Sequence, residues 1–283
     1  MTSTSPHDSV TRSGYAWRTA PEESVRADLR RLRELNPLTH CITNVVAAGF
    51  TANVLLALGA SPAMVTAAEE VADFAAAADG LLINVGTVTS ADVAAMTTAA
   101  RSAQSATTPW VLDPVAVGRL RYRTELVDDL LRYRPTVIRG NASEILSLAG
   151  AAGGGKGPDS TADSSEAISS ARALAQRTRA VVAVSGAVDY VTDGDDVFEV
   201  AGGHVLLTKI SGTGCALGAA MAAFLAASDT PLNAAVSASA VFAAAAELAA
   251  EQAQGPGAMA TALLDSLHLL GQAPFPRRPP TSR

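Results

Sequence analysis

The chain has 283 residues, a formal net charge of −6, 48% hydrophobic residues and 17% charged residues. This length allows one large domain or two small ones, and with aromatics at only 4% a core would rest on alanine, valine and leucine in closely approached helices. No basic stripe is present, which argues against nucleic acid as the main partner, and Cys41 and Cys215, without a CxxC or Cys/His cluster, point to neither a disulfide framework nor a zinc site.

Residues 1–22 begin with a polar stretch that lacks the apolar core of a signal peptide, and they are expected to form a disordered tail. Helices are expected at 25–35, 45–58 and 67–78. From there short apolar runs alternate with helical patterns: strand 81–85, helix 90–104, strand 110–113, helix 124–133, strand 136–139 and helix 142–148. The Gly/Ser/Asp-rich stretch 150–165 reads as a flexible surface excursion. Its Lys156 follows three glycines but lacks the full GxxxxGK[ST] pattern of a phosphate loop. A helix at 166–177 precedes strands at 181–185, 188–192, 197–200 and 204–207, spaced closely enough to suggest an antiparallel portion at one sheet edge. Helices at 214–227, 232–254 and 258–270 follow, and residues 272–283, with four prolines, are expected to be a flexible tail.

This order predicts an α/β fold with a largely parallel central sheet flanked by helices on both faces, in one domain over 23–271. The alanine-rich run 216–227 is too short to span a membrane, and Ser237, Ser239 and Glu247 interrupt the longer run 234–250. Both read as buried helices of a cytoplasmic protein with no membrane partner.

In open parallel sheets ligands bind at the carboxyl ends of the strands. The run 81–85 ends in Gly86-Thr87, and 110–112 ends in Asp113-Pro114. The run 137–138 ends in Arg139-Gly140-Asn141, with Glu144 one turn later, and 182–184 ends in Ser185-Gly186. Carboxylates, an arginine, hydroxyls and glycines gathered on one edge suit a phosphate-plus-magnesium site. Asp113 and Glu144 would hold Mg²⁺ largely through waters. The plainer readings are a turn cap for Asp113 and a first-turn acid facing a helix dipole for Glu144. Arg139 either pairs with phosphate oxygens through its planar fork or is a solvated charge at a strand end.

"KISGTGC" (209–215) places a thiol where a glycine loop becomes an apolar helix. Gly212 and Gly214 permit a tight turn close to a ligand. The amides of Thr213, Gly214, Cys215 and Ala216 would then point outward as an anion site. A helix N-terminus favours the thiolate and would draw the Cys215 pKa toward neutrality. Cys215 would then accept a proton from a substrate alcohol, unless it is simply a small buried hydrophobe. Upstream, Thr39, His40, Thr43, Asn44 and Asn53 punctuate an apolar pattern. Asn44 either caps the next helix or walls a pocket for a small polar heterocycle beside Met64, and His40 is the weaker choice of base.

Taken together these residues resemble the hydroxyethylthiazole kinase family of the ribokinase-like superfamily. The resemblance covers residues 37–270. It is carried by the segment 37–64, "NVGTVT" (84–89), "VLDPVAVG" (111–118), "IRGNASEI" (138–145), "AVSG" (183–186) and "LLTKISGTGC" (206–215). It implies phosphoryl transfer from ATP to 5-(2-hydroxyethyl)-4-methylthiazole with Mg²⁺, in thiamine synthesis or salvage. At matching positions Asn44, Met64 and Gly212 would contact the thiazole. Arg139, Ser185, Thr213 and Gly214 would contact ATP, Asp113 and Glu144 would serve the metal, and Cys215 would sit nearest the alcohol. Ser185 stands where related sequences often carry threonine. The resemblance also implies a homotrimer with active sites between subunits, so that Met64 would serve a neighbour's site. The competing readings are a superfamily kinase for a pyrimidine or sugar alcohol, an acyl- or thiol-transfer enzyme with Cys215 as nucleophile, and a non-catalytic thiazole or thiamine binder.

Overall fold

The computed structural model describes residues 10–12, 15–150 and 164–271. Their strands are β1 (Val10–Arg12), β2 (Tyr15–Thr19), β3 (Leu38–Ile42), β4 (Ser61–Ala63), β5 (Gly80–Asn84), β6 (Trp110–Asp113), β7 (Val137–Asn141), β8 (Val181–Ser185), β9 (Val188–Thr192) and β10 (Val197–Ala201). All ten join one sheet in the order β1-β2-β10-β9-β8-β7-β6-β5-β3-β4. From β4 through β3, β5, β6, β7 to β8 every neighbour is parallel. β9 runs antiparallel to β8 and β10, which makes the expected antiparallel portion.

Side chains along the parallel strands alternate between two cores, as a period of two demands. Cys41, Leu82, Val111, Val137, Val181 and Ala183 face one side. There they meet helices α1 (Glu22–Leu35), α2 (Ala48–Leu58), α8 (Thr213–Phe224), α9 (Pro231–Gln252) and α10 (Pro256–Leu269). Their neighbours Ile42, Ile83, Leu112, Ile138 and Val182 face the other side. That side is covered by α3 (Val71–Ala77), α4 (Ser90–Ala106), α5 (Arg121–Leu131), α6 (Ala142–Leu148) and α7 (Ile168–Thr178). The alanines of α8 and α9 explain the low aromatic content: side chains this small let α8 lie buried between the sheet and α9. Among the described residues α9 alone is long and apolar enough to cross a membrane, and 72% of its apolar window is buried inside the protein.

Three expectations are corrected. β3 and β4 fall where no strand was expected, because buried polar groups in β3 interrupt its apolar signal: the Thr39 hydroxyl donates to the Pro37 carbonyl at 3.2 Å and His40 Nε2 pairs with the Val65 carbonyl at 2.8 Å. The expected tail 1–22 contains β1 and β2, and β2 extends the sheet by pairing in parallel with the edge of β10. The expected strand 204–207 is a 3₁₀ turn, Val205–Lys209, since His204 Nδ1 accepts the Leu206 amide and caps it. A run that short fits either period. Most of the 150–165 excursion and all of 272–283 lie outside the described residues.

Candidate active site

The parallel strands deliver their last residues to one edge of the sheet. Asn84 of β5 stands in register with Asp113 of β6, while Asn141 of β7 stands beside Ser185 of β8. α8 begins at the same edge.

Asp113 is fully buried. Its Oδ2 accepts from Asn84 Nδ2 at 2.7 Å and lies 3.7 Å from Arg139 Nη1, while its Oδ1 has no partner. Burial pushes its carboxyl up to about 7; the Glu144 charge adds to this, and Arg139 and the Asn84 hydrogen bond oppose it. Arg139 is held on its other side by Nε donating to Ser185 Oγ at 3.1 Å, so the Ser185 hydroxyl orients the guanidinium. Glu144 is both a first-turn acid and a neighbour of the site. Its Oε2 accepts the Asn141 amide at 2.9 Å while Asn141 Oδ1 accepts the Glu144 amide, a capping box that starts α6. Its Oε1 accepts the Ala116 amide at 2.9 Å and pins the loop after β6.

α8 starts from Gly212 at φ 90°, a left-handed conformation that suits glycine. Gly212 has no side chain to cap the helix, so the first amides stay available to an anion. They number three rather than the expected four, because the Ala216 amide donates to the Gly212 carbonyl at 2.9 Å. The Thr213 hydroxyl turns back to the carbonyls of Leu207 and Ile210 at 3.1 and 3.3 Å, which leaves only its amide for a ligand. At Gly214 a Cβ would stand 2.8 Å from Arg139 Nη1 and 3.0 Å from Nη2. Arg139 therefore lies across the first turn only because residue 214 has no side chain. Gly214→Ala is expected to keep the fold, since a guanidinium can swing aside, and to raise KM for the nucleotide about tenfold through lost charge-assisted hydrogen bonds. Steady-state kinetics beside a thermal melt would check both halves.

Cys215 is half-buried, with Asn44 Nδ2 3.2 Å from its sulfur. The expectation of a lowered pKa is overturned. Burial raises it, the Asp113 charge raises it further, and hydrogen bonds from Asn44 and Asn84 and the Arg139 charge only partly compensate. Asn44 does not cap α2, whose N-cap is Ala47 without a side-chain hydrogen bond; its Oδ1 accepts the Ala47 amide at 3.0 Å in the turn before that helix, and its Nδ2 faces Cys215. Gly212 packs against that same entry, where a Cβ would meet Ala47 Cβ at 3.0 Å. Met64 stands apart from this group. It follows β4 at the outer edge of the sheet and is half-buried against the core. His40 is buried; its ring meets Phe74 edge-on at 5.1 Å and its Nδ1 has no partner.

A cleft of about 790 Å³ is lined by Arg139, Ser185 and Gly214 together with the apolar Leu217 and Phe242. Its lining thus combines donors with apolar surface, as a nucleotide site needs.

The sequence profile of the hydroxyethylthiazole kinase family matches residues 29–273. The chain belongs to the hydroxyethylthiazole kinase family. A hydroxyethylthiazole kinase of Leptospira interrogans is 55% identical over 250 residues, which cover 88% of this chain and 94% of that protein. The solved structure of a hydroxyethylthiazole kinase protein from Pyrococcus horikoshii OT3 is 40% identical with a TM-score of 0.81, covering 88% of this chain and 94% of its own. A ribokinase-like superfamily protein of Enterococcus faecalis V583, 12% identical, shares the fold with a TM-score of 0.62 over 92% of this chain and 98% of its own.

Two residues of this kinase-family site escaped the sequence reading. Asn84 is the polar last residue of β5, and its signal was its place inside an apolar run. Asp189 lines the cleft from β9, and burial pushes its carboxyl up to about 6 although the Gly186 amide donates to its Oδ1 at 3.0 Å. Its signal was an acid within a strand pattern. β1 and β2 lie before the span that matches the family.

Proposed function

We propose that the chain transfers the γ-phosphoryl group of ATP to the hydroxyl of 5-(2-hydroxyethyl)-4-methylthiazole, in the cytoplasm. The observation that carries this reading is the meeting of uncapped α8 amides, Arg139 and the half-partnered Asp113 beside Cys215. The relatives' names supply the acceptor.

Phosphoryl transfer depends chiefly on positioning and charge neutralisation. The amides of Thr213, Gly214 and Cys215 aim at the transferring group, and Arg139, braced by Ser185, adds a fixed positive charge. The Asn44 amide and the Ala47 surface hold the acceptor next to the sulfur. Only the thiolate accepts a proton, and because the Cys215 thiol is raised a minor fraction of the protein carries it; in that fraction the proton passes to sulfur late in the reaction, when the alcohol oxygen has already bonded to phosphorus and is strongly acidic. Positioning therefore outweighs base strength at this residue.

Among the described residues no group of three or more His, Cys, Asp or Glu is able to hold a metal ion. Two carboxylates plus phosphate oxygens is the set magnesium uses, and the unpartnered, buried Asp113 Oδ1 fits it. Asp113 would hold Mg²⁺ directly. Glu144, with each oxygen already accepting an amide, would reach it through a bound water. When bound, the ion would supply positive charge to offset that of the phosphates.

The functional unit is read as a homotrimer with the acceptor pocket between subunits. Val45 and Val46, 82% and 61% exposed, directly follow Asn44, and Leu56 on α2 is 59% exposed, so apolar surface adjoins the acceptor side. Sedimentation is expected to give a mass of three chains, and a monomer at assay concentration would contradict this. For the reaction, mixing protein, MgATP and the hydroxyethyl thiazole should release ADP and leave phosphate on the side-chain oxygen. Binding without ADP release, or an ATP-independent adduct on Cys215, would overturn it.

A further inference from the structure

A buried run of side-chain hydrogen bonds joins Asp113 to Cys215, and its middle member is Asn84, with no exposed surface. Asn84 Nδ2 donates to Asp113 Oδ2 at 2.7 Å, and Asn84 Oδ1 accepts from Asn44 Nδ2 at 3.0 Å. Asn44 Nδ2 in turn donates to Cys215 Sγ at 3.2 Å. A primary amide has one accepting and one donating end, so each link depends on which way the amide faces. Fixed backbone donors decide that at both asparagines. The Gly86 amide donates to Asn84 Oδ1 at 3.0 Å, so only Nδ2 faces Asp113. The Ala47 amide donates to Asn44 Oδ1 at 3.0 Å, so only Nδ2 faces the sulfur. Ala47 thus selects the end of Asn44 that meets Cys215, and Asn84 Oδ1 anchors that end in place.

We propose that Asn84 is a positioning residue that holds the Asn44 amide against Cys215 and ties this pair to Asp113, making one connected unit of the acceptor and phosphate sides of the site. Its effect on catalysis rests on the phosphotransfer reading above, but the coupling itself is a property of the side chains and is measurable without substrate. Without Asn84, Asp113 loses a neutral donor and Asn44 is held from one end only. Nothing of Asn84 needs to touch ATP or the thiazole.

The test compares Asn84→Leu, Asn84→Ser, Asn44→Leu and the double variant Asn44→Leu/Asn84→Leu, each confirmed as folded by circular dichroism. The first readout is the rate of Cys215 alkylation by iodoacetamide at fixed pH, followed by mass spectrometry. Burial pushes the Cys41 thiol up to about 12, so it will not compete. Asp113 and Arg139, the charged groups facing Cys215, keep their identity in every variant, and because loss of the Asn84 donor favours protonated Asp113 the fixed pH is set well above 7, where that carboxyl is ionised throughout. Loss of a donor to sulfur lowers the thiolate fraction, and alkylation should slow about fivefold in each single variant; an Asn84 effect that runs through Asn44 leaves the double no slower, whereas a separate direct donation from Asn84 to the sulfur would multiply the losses. The second readout is kinetic: kcat should fall about fivefold or more with KM for ATP nearly unchanged. If the leucine variant does not fold, Asn84→Ser decides with the same expected direction. Wild-type alkylation and kcat in a folded Asn84 variant, or losses that multiply in the double variant, would overturn the assignment. If the wild-type protein fails to phosphorylate the thiazole, the alkylation cycle still decides the coupling. If the wild type is active and the cycle shows no coupling, only the role of Asn84 falls.

Discussion

Cys215→Ala is expected to lower kcat about 10²-fold, the lower end of the range for loss of a proton-accepting group, and to change KM for the thiazole far less. The reason lies in the geometry around the sulfur. Cys215 is the third residue of α8, and its amide is the last of the three without an intrahelical partner. Alanine keeps the amide in the anion site and removes only the sulfur and its contact with Asn44. Ground-state binding should therefore survive while the route for the alcohol proton is lost. Cys215→Asp should retain activity, because an oxygen acid at this position receives the same Asn44 donor. Its carboxylate would carry the cost of standing near Asp113, which already raises the thiol. Normal turnover of the alanine variant in steady-state kinetics would remove Cys215 from the chemistry and leave it as a packing group.

Asp113→Asn should separate function from stability. Activity is expected to fall about 10³-fold, in line with removal of a preorganised charged group from a buried site. Stability should move the other way above neutral pH. The folded carboxyl sits at about 7 against an ordinary value of 3.8. Between these values the folded state binds the proton that the unfolded chain releases, so stability falls as pH rises through this window. The penalty is absent below the ordinary carboxylate range and complete above about 7. Asparagine carries no such penalty, so without added metal its melting temperature should match the wild type near pH 4 and exceed it at pH 8. An asparagine variant that melts lower at pH 8, or that turns over at the wild-type rate, would contradict the description of Asp113 as a buried charge kept for a ligand.

The parallel sheet was legible because its strands are apolar on both faces and end in turn chemistry. Residues 110–113 show both features, and β6 spans the same residues. β3 was hidden because Thr39 and His40 sit in its interior with local partners that no pattern of types reveals. The candidate site was legible as residue types at strand ends, so Asp113, Arg139 and Ser185 could be read in advance. Which of their atoms meet was not. That Glu144 has both oxygens engaged depends on a loop amide 28 residues away. Likewise, the Cys215 thiol is raised because burial and Asp113 outweigh the lowering by Asn44, Arg139 and Asn84. Electrostatics of this kind is a sum over neighbours in space, and the local motif around Cys215 reports only one of its terms.

The most direct test is a structure of the protein with an unreactive ATP analogue, Mg²⁺ and the hydroxyethyl thiazole bound together. The expected result places a γ-phosphate oxygen within hydrogen-bond distance of the Gly214 and Cys215 amides and of Arg139, with the thiazole hydroxyl beside Cys215 Sγ and in line with the phosphorus. Phosphates bound away from the start of α8, or a thiazole hydroxyl turned away from the sulfur, would contradict it.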